Sequence, residues 1–131
     1  MIGLDTNVVV RYIMQDDPEQ SRLASMLIEG LTTEDPGFIP LVAVTELVWV
    51  LSSAFRLMRP QIVQTLEILL QTKELQVEQA DVVWRAVRLY RDSAADFADC
   101  LVERSAAAAG CVRTMTFDRG TAKHGAMTLI Q

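Results

Sequence analysis

Four acidic residues occupy positions in the sequence where carboxylates are unusual, and they suggest metal chemistry. Asp5 and Asp118 each follow a short apolar run, Glu46 interrupts a strongly apolar segment, and Asp99 lies within a group of acids. Carboxylate oxygens are the ligands that Mg²⁺ and similar hard cations prefer. The four residues therefore predict a carboxylate cluster that holds a divalent metal.

Asp5 and Asp118 each mark the end of a predicted strand. Asp5 follows Ile2 and Leu4, and a helical pattern begins directly after it. An acid at the carboxyl end of an early parallel strand lies at the edge where open α/β sheets place their sites. Asp118 repeats this pattern after residues 112–117, although the Asp-x-Gly sequence that it begins is also ordinary turn composition. Both residues are candidate ligands, and a simple turn is the alternative for Asp118.

Glu46 lies in an apolar segment that predicts a helix over residues 41–55. An ionised carboxylate in apolar surroundings is costly unless it is paired or bound to a metal. The alternative is that Glu46 lies on a narrow solvent-facing stripe of an otherwise buried helix. Periodicity alone does not decide between these two interpretations.

A second group of acids lies in a helix predicted over residues 96–109. Asp96, Asp99 and Glu103 are three and then four residues apart, so they share one face of that helix. Asp96 is well placed as an N-cap, a role in which its side chain accepts a backbone N–H. Asp99 lies one turn further on, where capping no longer explains it, and we interpret Glu103 as solvated. Asp99 is therefore the stronger candidate to bind a metal beside Asp5.

Short strand-like runs alternate with helical patterns along the chain. Asp17 and Pro18 predict the N-cap and first residue of a helix that ends near Glu29, and Arg59 begins another helix. The remaining strands are predicted at residues 38–39, 75–77, 112–117 and 128–130, and further helices at 8–13 and 81–90. Helices between strands favour a parallel, helix-covered sheet. The predicted fold class is α/β, with residues 1–131 forming one domain.

The composition is that of a globular protein, with 50% hydrophobic and 22% charged residues. The net charge of −5 argues against a sequence-independent nucleic-acid coat protein, which needs an excess of Lys and Arg. It does not exclude a nucleic-acid enzyme, because a cation held by acids attracts phosphate.

The cysteines and the apolar runs predict an ordinary intracellular protein. Cys100 and Cys111 have neither disulfide nor zinc-site spacing, and we interpret both as reduced core thiols. No signal peptide is visible, and no apolar run is long enough to span a bilayer. We therefore expect a cytoplasmic protein without membrane association.

The acidic positions and their neighbours resemble the motifs of the PIN domain, most closely those of the VapC-type toxins of bacterial toxin–antitoxin pairs. The resemblance rests on Ile2-Gly3-Leu4-Asp5-Thr6-Asn7, Thr45-Glu46-Leu47, Ala95-Asp96-Phe97-Ala98-Asp99 and Thr116-Phe117-Asp118. These segments follow the order and spacing of the family from end to end of the chain. Each motif alone is weak, but the ordered set is fairly specific.

The resemblance implies a three-layer α/β/α sandwich around a short, mostly parallel sheet, and a Mg²⁺- or Mn²⁺-dependent endoribonuclease. Four residues match the acidic quartet of the family: Asp5, Glu46, Asp99 and Asp118. Asn7 and Thr116 match its polar helpers, and Asp96 matches an extra acid found in one subgroup. The resemblance also implies an RNA substrate and inhibition by a VapB-like antitoxin.

Apolar residues exceed the needs of a core of this size, particularly in the two N-terminal helices and in residues 41–55. Trp49, Phe55, Leu57 and Met58 are types that anchor protein interfaces. We therefore expect a homodimer or a toxin–antitoxin hetero-oligomer, with an antitoxin peptide in a groove near the acids. In a family member of this kind, a basic antitoxin side chain would enter the acidic pocket.

Two other functions fit the sequence less well. A phosphotransfer domain of the haloacid-dehalogenase or receiver type also begins with an acid after its first strand. The dehalogenase pattern needs Asp where this chain has Asn7, and both types use a later lysine. The other alternative is a PIN-like scaffold that binds proteins without catalysis. The sole histidine, His124, is interpreted as a surface loop residue and not as a general base.

Overall fold

The computed structural model describes every residue from Met1 to Gln131. The chain divides into two compact units, Met1–Glu78 and Gln79–Gln131. The first unit contains a three-stranded parallel sheet and four helices, and the second contains a two-stranded parallel sheet and three helices. The predicted mixture of helices with short parallel strands is therefore present in both units.

The sheet of the first unit has the strand order β1-β2-β3. Its strands are β1 (Ile2–Gly3), β2 (Gly37–Ile39) and β3 (Leu75–Val77). Leu4 prolongs the pairing of β1 by donating its N–H to the Phe38 carbonyl at 2.8 Å, and the Leu4 side chain is buried. The next residue is Asp5, so this carboxylate follows directly from the end of the first strand, as predicted.

Gly37 allows the close packing at the centre of this sheet. A Cβ atom at this position would lie 2.8 Å from Leu4 Cδ1 and 2.9 Å from Leu31 Cδ1. Real Cβ atoms do not approach other atoms so closely, so a larger residue would force these leucine side chains to move. Glycine therefore leaves room for the side chain of Leu4, the residue that precedes Asp5.

The first unit also contains four helices: α1 (Thr6–Met14), α2 (Pro18–Glu29), α3 (Leu41–Ser53) and α4 (Arg59–Gln71). Asp17 caps α2 as predicted, accepting the Gln20 N–H at 2.9 Å. Helix α1 packs on both α2 and α3, and α4 packs on β3. The contact between α1 and α3 is the one that matters for the predicted site, because α1 begins beside Asp5 and α3 carries Glu46.

Helix α3 is apolar on nearly all sides. Leu47 and Leu51 are fully buried, whereas Val42, Glu46 and Trp49 form an exposed stripe at helical spacing. No helix of the chain has both the length and the apolar character needed to cross a membrane.

The second unit is built on two packed helices and a small β-α-β element. Helix α5 (Ala80–Asp92) packs on α6 (Phe97–Ala108), and the Tyr90 and Phe97 rings meet edge to face with centroids 5.6 Å apart. Strands β4 (Met115–Thr116) and β5 (Thr128–Leu129) are parallel, and α7 (Arg119–His124) lies between them in the chain.

Two predictions about residues 111–117 are wrong. A strand was predicted over residues 112–117, but only Met115 and Thr116 pair with another strand. Val112 has no partner surface and is 96% exposed. Cys111 is also exposed, so only Cys100 is a core thiol.

The segment after Asp118 is a short helix and not the turn or loop suggested by its Arg119-Gly120 sequence. Asp118 is the N-cap of α7, because its side chain accepts the Thr121 N–H at 2.8 Å. An N-cap of this kind satisfies a backbone donor that would otherwise lack a partner. His124 therefore lies in a helix, although it is exposed as predicted.

Candidate functional site

In the first unit, Thr6 joins two of the predicted acids. Its backbone N–H donates to Asp5 Oδ1 at 2.8 Å, and its hydroxyl donates to Glu46 Oε1 at 3.1 Å. Thr6 is only 5% exposed, at the start of α1. A buried hydroxyl must find a partner inside the protein, so packing of α1 on α3 fixes this carboxylate pair.

In the second unit, Thr121 joins the other two acids in the same way. Its backbone N–H donates to Asp118 Oδ1 at 2.8 Å, and its hydroxyl donates to Asp99 Oδ2 at 3.2 Å. The hydrogen bond from the Thr121 backbone N–H is the main cause that lowers the pKa of Asp118. Asp118 therefore stays ionised to a lower pH than an ordinary aspartate.

Asp5, Glu46 and Asp99 each have one carboxylate oxygen that accepts no hydrogen bond, whereas Asp118 accepts backbone hydrogen bonds from both Thr121 and Gly120. The bonded atoms are Asp5 Oδ1, Glu46 Oε1, Asp99 Oδ2 and Asp118 Oδ1. The ion pairs of the chain involve other acids, namely Asp16, Glu19, Asp35, Asp92 and Glu103. Ionised oxygens without a basic partner are suitable donors for Mg²⁺ or Mn²⁺, so the chemistry of this donor set fits such a cation.

The complete four-carboxylate cluster stays a prediction. The structure contains no group of three or more His, Cys, Asp or Glu side chains arranged to hold a metal ion. It brings the acids together as two pairs, Asp5 with Glu46 in the first unit and Asp99 with Asp118 in the second.

The match to a known family extends across both units and includes all four acids. Residues 2–126 match the PIN domain family. The chain belongs to the PIN-domain family. This PIN domain is also similar to a VapC ribonuclease of Aquifex aeolicus (strain VF5), with 25% identity over 126 residues. The similarity covers 96% of this chain and 93% of that relative. Family membership confirms both the resemblance found in the sequence and the α/β fold class.

The three predicted supporting residues of the PIN domain differ in their surroundings. Thr116 Oγ1 accepts the Asp118 N–H at 3.0 Å, so it helps to place that acid. Asn7 is exposed on α1, and its side chain forms no hydrogen bond. Asp96 occupies the N-cap position of α6 as predicted, but its side chain accepts no capping hydrogen bond. The expectation that capping would occupy the Asp96 carboxylate is therefore wrong.

Glu46 and Glu103 each differ from the simple interpretation of a solvated surface acid. Glu46 is exposed between Val42 and Trp49, as the solvent-stripe alternative requires, yet its carboxylate is also held by Thr6. Glu103 is not solvated, since its side chain is only 12% exposed and Oε2 lies 3.1 Å from Arg104 Nη1. Glu103 thus forms an ion pair with Arg104, although its Oε2 accepts no hydrogen bond, whereas none of the four candidate acids forms an ion pair.

The roles of Thr6 and Thr121 as hydrogen-bond donors to the acids of this PIN domain were not predicted from the sequence. The available signal was an aspartate at a helix N-cap with a threonine in the following turn, as in Asp5-Thr6 and Asp118 with Thr121. This combination is common at ordinary helix starts. The hydroxyl contacts to Glu46 and Asp99 appear only when the helices pack.

Proposed function

We propose that this PIN domain, acting as one domain over residues 1–131, is a metal-dependent endoribonuclease and the toxin of a type II toxin–antitoxin pair. The supporting observation is the set of four carboxylates, none in an ion pair, held in two pairs by threonines. The similarity to a VapC ribonuclease supports RNA as the substrate. The cytoplasm is the proposed location.

In this proposal, Asp5 and Asp99 bind Mg²⁺ or Mn²⁺, and Glu46 and Asp118 complete the acidic site. Asn7, Asp96 and Thr116 are supporting residues. When held by these residues, such a cation would supply Lewis-acid chemistry at a phosphate oxygen and would make water a better nucleophile. The hydrogen bonds from Thr6 and Thr121 occupy one oxygen of each acid.

Metal removal tests the proposal directly. Purified protein, freed of antitoxin, should cleave a structured RNA pool in Mn²⁺ or Mg²⁺, stop in EDTA, and resume when excess metal is added. The Asp5→Asn protein, purified identically, controls for contaminating ribonucleases. Cleavage that persists in EDTA would contradict metal dependence. Absence of cleavage with either metal, together with binding of an antitoxin, would favour the non-catalytic scaffold.

Arg85 and Arg88 on α5 provide contacts for the RNA backbone in this proposal. Both side chains are exposed, and neither forms an ion pair. They line a cleft of about 360 Å³ with Trp84 and a second cleft of about 260 Å³ with Arg104. Arginines bind phosphates, and an aromatic ring offers a surface on which a base can stack.

Charge reversal of Arg85 and Arg88 to Glu should raise the KM for RNA about tenfold with little change in kcat, because phosphate contacts are lost. The salt dependence of RNA binding should become shallower for the same reason. Arg56 and Lys73 are exposed and outside this surface, so their double replacement by Glu controls for net charge. Equal KM changes in the two double variants would contradict the assignment.

A groove between α1 and α2 is the proposed position of the antitoxin. Its volume is about 330 Å³, and its lining includes Asn7, Arg11, Leu23 and Leu27. Leu23 and Leu27 are exposed, so an apolar antitoxin segment would cover them. Asn7 lies two residues after Asp5, which places one end of the groove near the first acid pair.

The exposed apolar side chains near α3 support a homodimer. Trp49 and Met58 are 69% and 68% exposed, whereas Phe55 and Leu57 are partly buried. We expect a dimer by light scattering and a shift toward monomer in Trp49→Ser, because exposed aromatic anchors contribute strongly to interfaces. Ile68→Ser removes another exposed apolar side chain as a control. A monomer at high concentration of the unaltered protein would contradict the dimer.

A further inference from the structure

We infer that Thr121 is a positioning residue that holds Asp99 and Asp118 and sets which oxygen of Asp99 is available to a cation. The inference rests on the proposed function, because it concerns the same acids. Thr121 makes both hydrogen bonds that join these acids, one from its backbone N–H and one from its hydroxyl.

The hydroxyl of Thr121 controls the Asp99 carboxylate. It donates to Asp99 Oδ2 at 3.2 Å, and no other donor contacts that carboxylate. The terminal torsion of an aspartate is broad, so an unbonded carboxylate samples many orientations. The single bond from Thr121 therefore selects one orientation and keeps Oδ1 as the available oxygen.

The local backbone restrains Thr121 itself. Gly125 is buried at the end of α7 and donates its N–H to the Thr121 carbonyl at 2.7 Å. A Cβ atom at Gly125 would lie 2.8 Å from this carbonyl oxygen and 3.4 Å from the Thr121 methyl group. The end of the helix therefore packs closely on one side of Thr121, while its hydroxyl is directed to Asp99.

The same pairing occurs independently in the first unit. Thr6 donates its backbone N–H to Asp5 and its hydroxyl to Glu46, with different helices and a different sequence spacing. Thr6 follows its capping aspartate directly, whereas Thr121 lies three residues after Asp118. Two unrelated local structures thus give each proposed acid pair one shared threonine, which supports a common task for the two residues.

The test compares three replacements of Thr121 in the full chain. Thr121→Val keeps the shape and removes the hydroxyl, Thr121→Ala removes both, and Thr121→Ser keeps the hydroxyl. Mn²⁺ affinity is measured by calorimetry on metal-free protein, and melting temperature is measured in EDTA. Thr128→Ala is the control, because Thr128 is exposed in the same unit and its side chain forms no hydrogen bond.

We expect Thr121→Val and Thr121→Ala to weaken Mn²⁺ binding about tenfold, in the range typical of residues that orient ligands. Thr121→Ser and Thr128→Ala should bind Mn²⁺ like the unaltered protein. If Thr121→Ala does not fold, the Val and Ser variants still decide the question.

Three results would overturn the inference. Unchanged Mn²⁺ affinity in Thr121→Val would refute it while leaving the proposed nuclease intact. Equal loss in the Ser and Val variants, accompanied by lower melting temperatures, would show that Thr121 has only a structural role. Absence of Mn²⁺ binding by the unaltered protein would instead refute the proposed metal site, and the inference with it.

Discussion

Replacing Asp99 by Asn is expected to reduce RNA cleavage about a hundredfold or more, because losing a metal ligand should cost more activity than losing a residue that only orients a ligand. An Asn carbonyl can still accept the hydrogen bond that Thr121 donates to Asp99 Oδ2. The substitution therefore removes charge and preserves shape. Because repulsion from Asp118 also disappears, the melting temperature of the metal-free protein should equal or exceed that of the unaltered chain.

Asp96→Asn is the matched control for Asp99→Asn. Asp96 begins the same helix, is exposed, and accepts no capping hydrogen bond, so its replacement should change stability little. RNA cleavage and Mn²⁺ affinity should both fall much less than in Asp99→Asn. If Asp96→Asn abolishes Mn²⁺ binding while Asp99→Asn retains it, the roles of the two acids are reversed.

Replacing Asp5 should separate its two tasks, because this residue is both a helix cap and a proposed ligand. Asp5 Oδ1 accepts the Thr6 N–H at the start of α1. Asn is a good N-cap, whereas loss of a cap to Ala typically costs about 0.5–2 kcal/mol. Both Asp5→Asn and Asp5→Ala should abolish cleavage, but only Asp5→Ala should lower the free energy of unfolding.

Urea unfolding in EDTA measures the stability of the two Asp5 variants without any contribution from metal binding. The same preparations are then assayed for RNA cleavage in Mn²⁺. Cleavage by Asp5→Asn at the unaltered rate would remove Asp5 from the catalytic site. Equal unfolding free energies for the Asn and Ala variants would show that the hydrogen bond to Thr6 contributes little to α1.

The elements with strong local signals could be predicted from the sequence. Asp17 and Pro18 start α2 as expected, and the strand that contains Leu75 covers its predicted range. Local signals failed around Asp118, where α7 depends on a cap and on the close packing of Gly125. A six-residue helix has too few apolar positions to produce a clear period.

The acids of the candidate site could be predicted from the sequence, but the threonines that donate hydrogen bonds to them could not. Asp5 and Asp118 follow the strands as expected, because strand ends can be read from apolar runs. The contact between Thr121 and Asp99 joins residues 22 positions apart. Such a contact depends on how α7 packs, so it cannot be predicted from a local sequence pattern. The ion pair that removes Glu103 from consideration is likewise a result of side-chain placement.

The crowding around Gly37 has a genetic consequence. Every missense change in a glycine codon introduces a Cβ atom, and here that atom would lie under 3 Å from both Leu4 and Leu31. If the proposed toxin function is correct, forced expression of this protein selects for inactivating mutations in the cells that survive. Gly37 should recur among such survivors, although it carries no functional group, because a replacement must displace the buried Leu4 side chain, next to Asp5.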